Sequence, residues 1–241
     1  MKRFLKLLGL LLAAVVITAL TRVVMAGDWR QASRQPTGIA PDPALTKEAV
    51  VQVYVARAFG WRGVFGVHSW IAVKPTNAAE FTVYEVLGWR VLHGGSAVRI
   101  SNRPPDARWF GAAPKIVADI RGDGVDAIIK RIDYLARAYP RPRDYTVWPG
   151  PNSNTFTAYI GRAVPELKMD LPPTAIGKDF LINGFAAAAP SGTGYQVSLF
   201  GVLGLLAAKE EGVEINIFGL VFGFDTANPA IKLPIVGRIG L

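Results

Sequence analysis

Hydrophobic and polar positions give this chain stretches of distinctly different grain. Lys2, Arg3 and Lys6 precede an uninterrupted small and apolar run from Leu7 to Thr21. Residues 27–47 then follow with no apolar period, rich in Gln, Pro, Asp and Thr. Val50 to Ala56, Val67 to Val73 and Phe81 to Leu87 are dense in β-branched and aromatic residues and are bounded by Gly, Pro or Asn, which predicts three strands. Short connections make them an antiparallel meander. Asn102 to Pro114 reads as a loop, because Arg103-Pro104-Pro105-Asp106 imposes extended and turn geometry ahead of Trp109-Phe110.

The period then changes to that of a helix. Between Val125 and Tyr139, Ile128, Ile129, Ile132, Leu135 and Ala136 recur at helical spacing, with Lys130, Arg131, Asp133 and Arg137 mainly opposite and Asp123 placed to cap the start. Pro140, Pro142 and Trp148-Pro149-Gly150-Pro151 end this helix and deliver the chain to a second one opening at Asn152-Ser153-Asn154-Thr155-Phe156. From Gly194 to Gly240 long apolar runs alternate with Gly and with the polar turns Lys209 to Gly212 and Asp225 to Pro229, which predicts three strands. Those strands carry apolar residues on both faces, so they need cover from the core, a partner or lipid. The expected architecture is α+β. Residues 1–26 read as a signal peptide or membrane anchor, 27–47 as a spacer, 48–175 as the main α+β domain, and 176–241 as a Gly-rich β-meander packed on that domain, on membrane or on a partner.

Composition bears mainly on location. A basic start followed by a short apolar run is the pattern of a leader, and Val24-Met25-Ala26 offers a cleavage site, with Arg22 between the two. The expectation is export to the periplasmic side of the cell envelope, as an inner-membrane anchored protein or as one secreted after cleavage, with membrane association. Setting aside Lys2, Arg3, Lys6 and Arg22 lowers the formal net charge from +9 to +5, and the remaining basic residues are scattered, which argues against nucleic acid as a partner. The chain has no cysteine, so disulfides and thiolate metal sites are excluded. With two histidines, no metal-ligand spacing and no Gly-rich nucleotide fingerprint, neither metal nor cofactor is expected.

The candidate chemistry lies in three residues. His68 opens the second strand, Glu85 interrupts the apolar third, and Ser153 sits at a helix start, where free backbone N–H groups and the helix dipole stabilise developing negative charge. A strand histidine, a carboxylate on the next strand and a later nucleophile at a helix N-terminus is the order of a circularly permuted papain-like site. His68-Ser-Trp-Ile-Ala-Val is similar to the histidine strand of permuted papain-like proteins, the superfamily of NlpC-type peptidases and lecithin:retinol acyltransferase. Asn152-Ser153-Asn154-Thr155-Phe156 resembles their Asn-Cys-x-x-Phe helix start, with Ser153 in place of the cysteine. As a whole, the chain resembles an uncharacterised bacterial envelope family of unknown function.

The resemblance spans Val50 to Val164. It implies a papain-like antiparallel sheet with packed helices, in which Ser153 attacks an amide or ester, His68 acts as base and then acid, and Glu85 orients the imidazole. His93 is a weaker substitute for His68. The alternative is a catalytically inactive envelope module that binds a peptide, glycan or lipid in the same groove. Because a serine depends on its base for activation, the two readings divide on whether the Ser153 hydroxyl faces a His68 ring nitrogen.

Overall fold

A computed structural model describes residues 29–240, and the leader of residues 1–26 lies outside them. Among the described residues no helix is long and apolar enough to cross a membrane. The fold is α+β, with two antiparallel sheets and few helices. The first sheet contains β1 (Val50–Arg57), β2 (Val67–Lys74), β3 (Thr82–Val86), β4 (Val98–Asn102) and β5 (Lys115–Arg121), in the order β4-β3-β2-β1-β5. Its first three strands fall where β-branched density places them. β4 and β5 occupy half-exposed edges, where the alternation is diluted by polar residues. Two short helices, α1 (Arg62–Phe65) and α2 (Gly88–Leu92), fill connections read as turns.

The central strands are buried on both faces, and the two faces carry different cargo. Val51, Val53, Ile71, Val73, Tyr84 and Val86 point toward the long helices α3 (Val125–Arg137) and α4 (Ser153–Ala163), where Ile132, Phe156 and Ile160 complete the main core. Val50, Tyr54, Trp70, Ala72 and Val83 point the other way, beneath Trp109 and Ala112 of the 102–114 loop. That loop is held by Asp106, whose buried carboxylate accepts the N–H groups of Thr37 and Ile39 at 3.1 and 2.9 Å. Part of the segment read as a spacer is therefore pinned to the domain. At α3 the expected Asp123 cap is replaced by Gly124, whose φ of 81° suits glycine and leaves no side chain to cap.

The second sheet is a continuous meander of β6 (Ala186–Ala188), β7 (Gly194–Leu199), β8 (Leu203–Ala208), β9 (Gly212–Ile217), β10 (Leu220–Asp225), β11 (Ala230–Leu233) and β12 (Gly237–Gly240). The expected three strands over this region are too few, because each long apolar run folds as a hairpin. Phe200-Gly201 and Phe218-Gly219 make the turns, with φ of 54° and 73° in the first and 54° and 79° in the second. Two consecutive residues at positive φ match the right-handed twist of the flanking strands. Each turn also resets the alternation, so the faces are not both apolar. Gln196, Ser198, Glu214, Asn216 and Lys232 point inward and are buried, while Val197, Leu205, Ile215, Phe224 and Ile231 point outward and are exposed.

Candidate functional site

Helix α4 starts with a capping box. Asn152 Oδ1 accepts the N–H groups of Asn154 and Thr155 at 2.9 and 3.2 Å, and Thr155 Oγ1 accepts the Asn152 N–H at 3.1 Å. The Asn152 Nδ2 group donates to the carbonyls of Val147 and Ile176, both at 3.0 Å. Gly177 closes over this amide: its φ is +97°, and a side chain there would overlap Asn152. Ser153 is thus the first residue of the helix rather than its cap. It is buried, and its hydroxyl has no hydrogen-bond partner among the described residues.

The strand residue that meets this helix is Ser69. Its hydroxyl donates to the Ser153 carbonyl at 3.3 Å and to Thr157 Oγ1 at 2.9 Å. Successive strand side chains point to opposite faces, so His68 is directed away from α4. The register is regular at this point, with Val55 opposite Ser69 and Ala56 opposite His68. The expected meeting of Ser153 with His68 is therefore not formed, because the sheet stands between their side chains. The sequence could not reveal this parity: Ile71 and Val73 on one face of β2 are as apolar as Trp70 and Ala72 on the other.

His68 and Glu85 do come together. His68 Nε2 lies 3.3 Å from Glu85 Oε2, and since a carboxylate only accepts, that nitrogen carries the proton. Arg103 pairs with the same carboxylate at 3.2 Å, and Arg99 approaches it at 3.8 Å. Burial opposes the Glu85 charge, but the His68 hydrogen bond and the Arg103 charge outweigh it and bring the pKa down to about 2. Burial also lowers the pKa of His68, against the pull of Glu85, so the imidazole is neutral at pH 7.

An aromatic column surrounds this pair. The His68 ring stacks on Trp109 with centroids 3.7 Å apart and on Trp70 at 5.7 Å. Tyr54 extends the stack inward from Trp70 at 5.6 Å, and Trp89 extends it outward from Trp109 at 5.9 Å. Phe110 meets Trp109 edge-on and links the column to Phe59 at 5.4 Å. Trp89 is 44% exposed, and Trp61 in the neighbouring loop is 59% exposed. The Arg34 guanidinium covers the Phe110 ring at 4.6 Å and that of Arg62 covers Trp61 at 5.5 Å. The shared parity of His68 and Trp70, two residues apart on β2, was the sequence signal for this column. Trp89 and Arg103 gave none, since each reaches it from a loop or a short helix. His93 lies apart, with Nδ1 2.6 Å from the Trp89 carbonyl. No group of three or more His, Asp or Glu residues able to hold a metal occurs among the described residues.

A family model described as "Protein of unknown function (DUF3750)" matches residues 48–180, more than half of the chain. The chain belongs to this family. The DUF3750 match takes in the whole first sheet and helices α1 to α4, and it ends before the meander begins at β6. No curated protein and no solved structure matches the chain. The His68–Glu85 pair, its aromatic column and the start of α4 all lie within the DUF3750 region.

Proposed function

We propose that this DUF3750 protein is a non-catalytic binding module of the cell envelope. In this reading it is built on a permuted papain-like scaffold whose nucleophile and base no longer meet, and it takes an acidic glycan or peptide of the wall. The envelope location rests on the basic and apolar start of the chain. The scaffold reading rests on the order of the His68 strand and the Asn152-Ser153 helix start packed on an antiparallel sheet. One observation carries the loss of catalysis: His68 is held by Glu85 and stacked on Trp109, on the face of the sheet opposite Ser153. A serine hydroxyl without a base within hydrogen-bond reach is a poor nucleophile.

The ligand class follows from the surface around that pair. Exposed Trp61 and Trp89 present flat apolar faces suited to sugar rings or apolar side chains, while Arg34 and Arg62 beside them supply charge for carboxylates. The test is co-sedimentation of the protein with purified insoluble cell wall, together with exposure to a serine-directed fluorophosphonate probe. The protein should pellet with the wall, Trp89→Ala should abolish most of that binding, and Ser153→Ala should leave it unchanged. Labelling of Ser153 by the probe, lost in His68→Ala, would restore the hydrolase or acyltransferase reading.

A further inference from the structure

We infer that the C-terminal meander is one half of a β-sandwich completed by a second copy of this chain. Among the described residues its outward face bears no charged side chain, and Tyr195 supplies the only polar one. Val197, Leu205, Ile215, Phe222 and Ile231, one from each of five neighbouring strands, are all at least 40% exposed. Sheet faces of a monomer in water normally show the reverse arrangement, apolar in and polar out. This sheet cannot turn over to correct it. Its inner face is tied to the body by Lys232, which donates to Asp170 at 2.6 Å, and by Gln196 and Asn216, which donate to Asp179 at 2.6 and 3.1 Å.

Size and chemistry select the occupant. Seven strands at about 4.8 Å spacing, with six residues at ~3.4 Å each in the longer ones, give a face of roughly 600 Å² before the side chains corrugate it. Phe200 and Phe218 at the turns extend it further. That is the order of the ~800 Å² per partner that a stable interface takes. Aliphatic side chains from two such faces interdigitate at about 10 Å, as in the core of a sandwich, and obligate homodimers are apolar in this way. Lipid fits less well. The strands have six residues or fewer, short of the 9–11 or so that cross a bilayer. In the β8–β9 turn Lys209 and Glu210 cancel and Glu211 is buried, so this turn offers anionic headgroups no net positive charge.

The absence of cysteine makes the test direct, because an introduced thiol is the sole one. Ile215 lies on β9, the middle strand of the sheet. The full chain carrying Ile215→Cys is expressed in cells and treated, before any detergent, with a bifunctional maleimide that spans about 10 Å. The expected result is a covalent species of twice the chain mass, while Tyr134→Cys on exposed α3 reacts without cross-linking. Adding Leu205→Asp, whose position pairs with Ile215 across β8 and β9, should remove the dimer band and leave the thiol open to a monofunctional maleimide. Three results for the Ile215→Cys variant alone would overturn the inference: a monomer whose introduced thiol is freely labelled, one shielded only in the presence of lipid, or one shielded within a monomer by the chain's own N-terminal segment.

Discussion

Around α4 one side chain carries several interactions at once: Asn152 caps two backbone N–H groups and also satisfies the carbonyls of Val147 and Ile176. Removing it leaves buried donors and acceptors without partners, whereas removing the Ser153 hydroxyl breaks no hydrogen bond. Asn152→Ala should therefore destabilise the protein by about 2 kcal/mol or more, and Ser153→Ala by less than about 0.5 kcal/mol, read from urea unfolding midpoints. Equal losses would contradict the assignment of the cap. At His68 the same scale of argument yields a pH dependence. Its folded pKa lies below its ordinary value of 6.5, so the unfolded chain takes up the proton first, and stability falls as pH drops below about 6.5. Glu85, held at about 2 against an ordinary value of 4.5, adds a further loss as pH falls through and below 4.5. His68→Gln should flatten the decline of melting temperature between about pH 7 and 5 and leave the decline below that. An unchanged upper limb would show that His68 does not titrate on unfolding.

Among the elements, legibility followed how each side chain was exposed. β1 and β2 were readable from their density of β-branched and aromatic residues, α3 from a sustained helical period, and α4 from the prolines and the Asn152-Ser153 start ahead of it. The meander was misread in number and in faces, because Phe200-Gly201 and Phe218-Gly219 act as hairpin turns without the Asn-Gly or Asp-Gly that usually announces one. Counting alternation straight through such a turn mixes the two faces. The inner face so revealed places Glu214 between Lys178 and Lys232, all three almost fully buried. Burial opposes ionisation of Glu214, yet the two ammonium groups outweigh it and hold its pKa below the usual carboxylate value. Truncating the shared partner takes one of two carboxylates from each lysine, leaving Lys178 with Asp179 and Lys232 with Asp170. Glu214→Ala should cost about 3 kcal/mol, measured by denaturant unfolding at pH 7. A cost under about 1 kcal/mol would mean that water enters the seam and solvates the lysines.

Across the whole molecule, the class and the His68–Glu85 pair were legible but the face on which Ser153 meets the sheet was not. An α+β chain with an antiparallel sheet follows from β-branched density, short connections and the helical period of α3, whereas the side of the sheet on which α4 packs does not, because β2 is apolar on both faces. The joint between the two sheets was equally hidden, since it consists largely of polar groups that become partners only in three dimensions. Arg162 donates to the Ala188 and Lys178 carbonyls at 3.1 and 2.9 Å and to Gln196 at 2.6 Å, and Arg57 reaches the Ile235 carbonyl at 2.8 Å. Such a joint holds only while its charges stay paired, and this can be measured because all six tryptophans precede the meander. Trp148 is replaced by Phe in every protein compared, because its Nε1 donates to the Phe218 carbonyl of the meander at 2.9 Å; tryptophan emission then reports on the part of the chain that holds the first sheet, and far-UV circular dichroism on both sheets. In the parent protein the two signals should unfold with coincident urea midpoints, as one cooperative unit. In Glu214→Gln the joint loses the anion between Lys178 and Lys232, and circular dichroism should begin to fall at lower urea than tryptophan emission as the meander releases first. Coincident transitions in the variant would show that apolar contacts such as Leu206 and Val221, rather than the charge network, bind the meander to the rest of the chain.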